Sequence, residues 1–238
     1  MAEALALTDV AFRWPGRAGF GLSVPGWRVA AGARLLLLGE SGSGKSTLLS
    51  LICGINRPDR GRVEVDGTDL GALGSTRRDR VRAERIGVVF QQFNLLPYAS
   101  PTDNICLPLR FAPERRQRAE AAGRGGARAE ARRLMTALKL PEEAIDAPRA
   151  GLLSVGQQQR IAVARALIGA PPLLIADEPT SALDAGSQDA FLDLLFTQCE
   201  AAGTTLIMVS HDDRLAPRFD DAIRLEDIAT IQRTGFAA

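Results

Sequence analysis

The sequence predicts an α/β fold with a mostly parallel sheet, an antiparallel β part at the N-terminus and an inserted helical subdomain. The first observation is that short apolar runs alternate with helical patterns; these runs lie at 34–38, 86–90, 173–176 and 204–209. Such alternation favours a parallel sheet covered on both faces. The second is a pair of strand-like segments, 4–13 and 20–30, joined by a turn rich in Pro and Gly, which is typical of an antiparallel pair.

The third observation concerns the middle of the chain, where prolines separate short helical pieces and residues 114–139 are rich in Arg and Ala. The glycines of segment 123–126 should divide that stretch into two helices. We interpret residues 92–152 as a helical subdomain inserted into an α/β core made of 1–91 and 153–238. A chain of 238 residues suits a single domain of this size.

The arginines of the helical segment have two interpretations, a solvated helix surface or a site for RNA or acidic lipid. We favour the solvated surface, because no aromatic residues interleave with these arginines, as base stacking would require. The formal net charge of +1 gives no general attraction to nucleic acid either.

The cysteines and the hydropathy of the chain indicate in which cellular compartment we expect the protein. Cys53, Cys106 and Cys199 lie far apart and not in a metal-binding spacing, so we expect thiols in a reducing environment. The first 14 residues lack the apolar core of a secretory leader. No run approaches the ~20 apolar residues of a membrane helix. We therefore expect a cytoplasmic protein that reaches a membrane only through a partner.

A glycine-rich segment between a strand-like and a helix-like run predicts a P-loop NTPase core. This phosphate loop consists of Gly39, Glu40, Ser41, Gly42, Ser43, Gly44, Lys45, Ser46 and Thr47. Its glycines let successive backbone N–H groups point at one phosphate, and the following helix adds its positive end. Lys45 can reach the β- and γ-phosphates, and the Ser46 hydroxyl can ligate Mg²⁺. An ordinary glycine-rich turn is the alternative, but the flanking runs argue against it.

Polar side chains follow two further strand-like runs. Asp177 and Glu178 come directly after 173–176, and His211 follows Ser210 at the end of the next run. Ligands of open α/β sheets lie beyond the carboxyl ends of the strands. Asp177 can hold Mg²⁺, Glu178 can orient or deprotonate a water, and His211 can bond the γ-phosphate or that water. A histidine at a strand end is often structural, but the other occupied strand ends favour a catalytic role.

Ser154 and Gln157 open an amphipathic helical pattern over 157–168. Their spacing is that of a capping box, in which each residue satisfies a backbone N–H of the other. The same helix N-terminus, with its serine hydroxyl and the small Gly156, is also suited to an anion. Both interpretations remain open at this point, since the spacing does not identify whose phosphate would be bound.

Taken in order, these motifs resemble the nucleotide-binding subunit of an ATP-binding-cassette (ABC) transporter over nearly the whole chain. The motifs that carry the resemblance are the phosphate loop, Gln91 after Val88-Val89-Phe90, the signature segment 153–157, Asp177-Glu178, Ser181-Ala182-Leu183-Asp184, and His211. A phosphate loop alone would leave kinases and GTPases open, whereas the signature segment and the order of the motifs exclude most of them.

The resemblance implies a catalytic role for each matching residue. Metal contacts are implied for Ser46, Gln91 and Asp177, and Gln91 would also contact the attacking water. The adjacent Gln92 leaves the register of that glutamine open. Glu178 resembles the general base and His211 the switch histidine of the family.

The resemblance also implies how nucleotide and partner subunit are contacted. Trp14 matches the aromatic residue that stacks on adenine, although an ordinary surface or core aromatic is the alternative. The signature residues Ser154, Gly156 and Gln157 would close over ATP held by a second cassette, and Asp184 would contact that subunit. The implied assembly is a head-to-tail dimer, expected to be a homodimer, that sandwiches two Mg-ATP.

Within the family, residues 90–97 and 103–105 resemble the branch that serves lipoprotein-releasing and macrolide-exporting permeases. The implied partner is an integral-membrane permease of the macrolide-exporter kind, at the cytoplasmic face of the inner membrane. Apolar side chains would form a groove for one of its cytoplasmic helices; they are Phe93, Leu95, Leu96 and Tyr98. The chain departs from the family at Val155, where glycine is usual, and we expect activity to survive because Ser154 and Gly156 remain.

Two other functions fit the same motifs. One is a nucleotide-gated regulatory or scaffold cassette that transports nothing, as in cell division. The other is a soluble cassette ATPase in assembly or repair, although repair members usually carry large insertions that this chain lacks. We take ATP hydrolysis that drives a permease as the leading hypothesis.

Overall fold

The computed structural model describes residues 2–14, 20–40, 42–181, 183 and 185–233. The chain divides into two compact units. The first unit comprises Met1–Arg82 and Ile207–Ala238, and the second comprises Ala83–Leu206. Neither unit coincides with the predicted helical subdomain, 92–152, whose limits stay a prediction.

The order of elements alternates strands with helices, as the sequence predicts. The strands are β1 Glu3–Arg13, β2 Phe20–Ala30, β3 Arg34–Leu38, β4 Arg60–Val65, β5 Thr68–Asp69, β6 Ile86–Val89, β7 Leu173–Asp177, β8 Thr205–Ser210, β9 Asp221–Arg224 and β10 Thr230–Arg233. The helices are α1 Lys45–Ile52, α2 Ser75–Arg85, α3 Pro101–Cys106, α4 Pro113–Ala122, α5 Ala127–Ala137, α6 Glu142–Ile145, α7 Val155–Leu167, α8 Ala185–Ala202 and α9 Leu225–Ile228. Among the described residues, no helix is long and apolar enough to cross a bilayer.

An antiparallel sheet in the first unit confirms the predicted β part at the N-terminus. Its strand order is β10-β2-β1-β4-β5. Leu7 pairs with Trp27 on one side and with Val63 on the other, and these three side chains are buried. The sequence analysis made no prediction for β10, which pairs with β2 in the register Ile231↔Leu22.

Parallel pairing is present in each unit. In the first unit β3, which leads into the phosphate loop, pairs with β9, and its leucines 35–38 are buried. In the second unit β6 pairs with β7 in the register Val88↔Ile175. The predicted buried run at 86–90 is one residue too long, because Phe90 lies beyond the strand and is 40% exposed.

The helical segment of the second unit matches its prediction in outline. Helix α4 ends at Ala122 and α5 begins at Ala127, so the glycine-rich segment does separate two helices. Arg128 and Arg132 are exposed and pair with surface carboxylates, as a solvated surface requires. The interpretation of the arginines as solvated is wrong for Arg115, which is only 2% exposed.

Helix α4 is anchored at its N-terminus by Glu84, a residue in the last turn of α2. The two carboxylate oxygens of Glu84 accept hydrogen bonds from the backbone N–H groups of Glu114 at 3.1 Å and Arg115 at 2.7 Å. Because the first N–H groups of a helix have no partner within it, this carboxylate serves as a cap supplied from another element.

The Arg115 side chain joins α4 to α7 and β6. In the described part of the chain, every acceptor of its guanidinium is a backbone carbonyl oxygen. These carbonyls belong to Ala83, Ile86, Arg165, Ala166 and Ile168. Three of these carbonyls lie at the C-terminal end of α7, where a helix leaves acceptors unsatisfied and attracts a cation. Burial lowers the pKa of Arg115 to about 9, so the group is still charged at neutral pH.

Candidate functional site

The phosphate loop lies in the first unit, between β3 and α1. Gly44 has φ 100° and is the N-cap of α1, and Gly42 has φ 76°. These left-handed values favour glycine, since a Cβ would strain the backbone. The Lys45 ammonium, with the residue only 8% exposed, donates to the carbonyl oxygens of Gly39 at 2.5 Å and Glu40 at 2.8 Å. The loop therefore curls around its own lysine.

Three details show that the loop fits a polar ligand. Among the described residues, the buried Ser43 Oγ has no hydrogen-bond partner, and a buried hydroxyl without one is costly. A Cβ on Gly39 would lie 2.9 Å from that Ser43 Oγ, so only glycine leaves this space open. Ser46 is exposed at the start of α1, where an oxygen ligand for Mg²⁺ is expected.

Trp14 lies directly after β1 and contacts the first turn of α1. Its indole Nε1 donates to Thr47 Oγ1 at 3.1 Å. The Trp14 ring meets the ring of Phe12 edge-on, with centroids 5.3 Å apart. The sequence separates Trp14 from Thr47 by 33 residues, and the structure brings the two together.

His211 belongs to the first unit and is exposed at the end of β8. The next residue, Asp212, is fixed by hydrogen bonds to two neighbours. Its backbone N–H donates to Ser210 Oγ at 3.1 Å, and its carboxylate accepts from the Arg214 guanidinium. The Arg214 hydrogen bond lowers the pKa of Asp212, and the nearby His211 lowers it further. The turn that carries the histidine is thus fixed on both sides.

The signature segment lies in the second unit at the start of α7. Ser154 is the N-cap: its Oγ accepts from the backbone N–H of Gln157, and the Gln157 side chain accepts from the backbone N–H of Ser154. The capping box is therefore confirmed, and Ser154 remains exposed. Val155 is the first residue of the helix and is 55% exposed. Its side chain fits the helical backbone without being buried.

Gln91 is exposed in a loop that follows β6. We call residues 90–96 the glutamine loop. It contains two non-glycine residues with positive φ, Phe93 at 57° and Asn94 at 49°. The carbonyl oxygens of both accept hydrogen bonds from the guanidinium of Arg165 on α7. The fully buried Asn104 fixes the end of the loop by bonding the backbone N–H and carbonyl of Leu96.

Asp177 ends β7, and Glu178 follows with φ 45°. Both residues are half-buried. A left-handed glutamate is uncommon, and such backbone strain is often found at functional sites. The next carbonyl, that of Pro179, accepts a hydrogen bond from the buried Gln159 of α7. Helix α7 therefore contacts the loops that carry both Gln91 and Glu178.

The predicted site residues divide between the two units. The phosphate loop, Trp14 and His211 belong to the first, and Gln91, the signature residues and Asp177-Glu178 belong to the second. Ser41 and Asp184 lie outside the described residues. The sequence analysis missed Asn104, Gln159 and Arg165 as supports of these loops. The only signal for the last two was their polar character inside an amphipathic helical pattern, which does not reveal a partner 20 or about 70 positions away.

Comparison with known proteins places this geometry in a family. A family model described as ABC transporter matches residues 22–181. An uncharacterized ABC transporter ATP-binding protein, YbbA of Escherichia coli K12, is 42% identical over 197 residues, which is 83% of this chain and 82% of that protein. The lipoprotein-releasing system ATP-binding protein LolD of Syntrophotalea carbinolica is 38% identical over 200 residues, 84% of each chain.

A solved structure agrees with the fold. It is a dimeric post-hydrolysis state of the ATP-binding cassette MJ0796 bound to ADP and Pi. The match has a TM-score of 0.75 and 31% identity, and it covers 98% of this chain and all of that one, 100%.

Proposed function

Because the chain belongs to the ABC transporter family, as an ATP-binding and ATP-hydrolysing subunit, we propose that it works as one half of a cassette dimer that drives an integral-membrane permease. The observation that carries this proposal is the phosphate loop, with its left-handed glycines, its lysine bound to the loop carbonyls, and a buried Ser43 hydroxyl that has no hydrogen-bond partner in the described part of the chain. A triphosphate would give the Ser43 hydroxyl a partner and the Lys45 ammonium an opposite charge.

The roles of the remaining residues follow from their chemistry. Ser46, Gln91 and Asp177 offer the oxygen ligands that Mg²⁺ prefers, and the bound ion would supply charge neutralisation at the phosphates. Glu178 would take the proton of the attacking water as the general base. His211 would hydrogen-bond the γ-phosphate, and Trp14 would stack on the adenine.

Pairing of two copies is supported by the signature segment. Ser154 is exposed at a capped helix N-terminus together with Gly156, which suits a phosphate brought by another molecule. The solved relative, described as a dimer bound to ADP and Pi, supports the same arrangement. In this proposal Asp184 contacts the second subunit, and the dimer is a homodimer.

The permease is expected to dock on the second unit. Tyr98 is 72% exposed and Leu152 71% exposed, and the backbone bond from Gly151 to the Pro97 carbonyl brings their segments together. Exposed apolar side chains that lie together in this way favour a protein partner. The relative whose name refers to a lipoprotein-releasing system supports a permease of the lipoprotein-releasing or macrolide-exporting kind. The subunit would then lie at the cytoplasmic face of the inner membrane.

The proposal is tested by light scattering and phosphate release on the purified chain with Mg-ATP, followed by co-reconstitution with its co-purifying permease in proteoliposomes. Dimer formation on ATP addition, specific activity that rises with protein concentration, and stimulation by the permease are expected. A total hydrolysis rate strictly proportional to protein concentration, together with a chain that stays monomeric, would contradict the proposal.

Trp14 provides a separate prediction about nucleotide affinity. Replacing Trp14 by Ala is expected to weaken ATP binding roughly 5- to 150-fold, because stacking of a base on an aromatic ring is worth about 1–3 kcal/mol. The matched control, Trp14→Phe, keeps an aromatic ring, although a smaller one, and loses the bond to Thr47, so we expect affinity within about threefold of wild type. Titration with a fluorescent ATP analogue measures both. Unchanged affinity in Trp14→Ala would mean that this ring does not stack on the adenine and serves only in its contacts with Phe12 and Thr47.

A further inference from the structure

The loop that carries Gln91 is held in an unfavourable backbone conformation. Phe93 and Asn94 both have positive φ, 57° and 49°, a region that residues with side chains enter only where the surroundings hold them. Backbone hydrogen bonds from Phe93 to Phe90 and from Asn94 to Gln92, at 2.9 Å and 2.6 Å, make the turn compact. The carbonyls of Phe93 and Asn94 are therefore presented side by side.

Arg165 of α7 binds both of these carbonyls. Its NH1 donates to the Asn94 oxygen at 2.6 Å and its NH2 to the Phe93 oxygen at 2.5 Å. Arg165 is 8% exposed, and burial lowers its pKa. A planar guanidinium can place two parallel N–H donors on adjacent acceptors, which a lysine ammonium cannot do with the same geometry.

The position of Arg165 along α7 gives this contact its functional meaning. The same helix is capped by Ser154, and its Gln159 donates to the carbonyl oxygen of Pro179, the residue after Glu178. Its C-terminal end is fixed in turn by Arg115, which donates to the carbonyl of Arg165 itself. One helix thus supports the signature segment, the Glu178 turn and the glutamine loop.

We propose that Arg165 is a positioning residue for Gln91, holding the strained glutamine loop on the signature helix so that the Gln91 side chain is presented in one fixed place. This inference rests on the proposed function, in which Gln91 contacts the metal and the attacking water. In this role Arg165 acts through the loop carbonyls that its guanidinium binds, and not through the nucleotide.

A double-mutant cycle tests the proposal in the full chain. Arg165→Met is expected to lower kcat roughly tenfold while the affinity for ATP stays within about twofold, because the loss lies in positioning and not in nucleotide binding. In a Gln91→Ala background the same change should lower kcat by less than about twofold, since residues that act through one another are not additive. Arg165→Lys, which keeps the charge and loses the fork, is the milder variant if Arg165→Met folds poorly.

Arg160→Met is the matched control, because Arg160 lies on the same helix and bonds the carbonyl of Lys139 instead. We expect it to keep the wild-type kcat. Hydrogen exchange provides a readout independent of activity: the amides of Phe93 and Asn94 should exchange faster in the Arg165 variants and not in Arg160→Met, whereas the capped amide of Gln157 should not change.

Two results would overturn the proposal: additive effects of Arg165→Met and Gln91→Ala on kcat, or unchanged exchange at Phe93 and Asn94. These differ from a failure of the proposed function, in which the wild-type chain would stay a monomer and its hydrolysis rate would rise in strict proportion to protein concentration. In that case the exchange experiment still decides whether Arg165 holds the loop.

Discussion

Replacing Glu178 by Gln is expected to lower the ATP turnover number by about 10²- to 10⁴-fold, the usual contribution of a general base. The amide has nearly the same size and can still hydrogen-bond a water, but it cannot accept that water's proton. Binding of Mg-ATP should persist, because the phosphate loop is unchanged. An ATP-bound dimer should therefore accumulate, since closure no longer leads to hydrolysis.

Glutamine is also the substitution that least disturbs the backbone here. Glu178 has φ 45°, which a β-branched residue would resist, whereas Gln differs from Glu in one terminal atom. Phosphate release measures the turnover, and light scattering measures the dimer. Glu200→Gln, the same change on the exposed end of α8, is the matched control and should behave as wild type. A monomer with undiminished hydrolysis would show that Glu178 is not the base.

The sequence predicts those parts of this molecule that depend on residues close together in the chain. Leucines 35–38 followed by closely spaced glycines and Lys45 are sufficient to predict strand, loop and helix, and the structure has β3 and α1 in those places. Ser154 and Gln157 are three residues apart, so their capping box is readable from the chain and is confirmed. Local spacing determines these features, because each depends on neighbours within one turn.

The supports of the site could not be predicted, because they depend on partners distant in sequence. Arg165 bonds residues about 70 positions away, and Arg115 bonds Ala166 at a separation of 51. An arginine in an Arg- and Ala-rich helix has the composition of a solvated residue, so only the fold distinguishes Arg115 from Arg128. Short strands such as β9 and β10 likewise lack a pattern of their own and are defined by pairing with β3 and β2.

Replacing Arg115 by Met is expected to have the largest effect on stability, a loss of about 3–5 kcal/mol in the free energy of unfolding, because several buried carbonyls lose a donor and each buried group left unsatisfied costs about 1–3 kcal/mol. Methionine fills much of the volume but donates no hydrogen bond. The carbonyls at the end of α7, including those of Ala166 at 2.5 Å and Ile168 at 2.6 Å from the guanidinium, would lose a donor inside the protein. For a chain of this size the loss corresponds to a fall in Tm of roughly 6–20 °C.

The close packing around Arg115 prevents the structure from relaxing to satisfy these carbonyls in another way. A Cβ on Gly87 of β6 would lie 2.2 Å from the Ala166 oxygen, and one on Gly169 would lie 2.3 Å from the Arg115 oxygen. Strand β6 and the end of α7 thus approach each other so closely that no other side chain can be inserted. Water cannot replace five donors in a space of this kind without separating the elements.

Thermal unfolding of Arg115→Met beside Arg128→Met decides between a structural cation and a surface charge. Arg128 is 69% exposed and pairs with the exposed Asp103, so its loss should cost no more than about 1 kcal/mol. Arg115→Lys should lie between the two, because one ammonium on a shorter stem reaches fewer carbonyls. If Arg115→Met unfolds at the same temperature as Arg128→Met, the free-energy cost of burying the charge equals the stabilisation that its hydrogen bonds contribute. The junction of α4, α7 and β6 would then owe its stability to apolar packing alone.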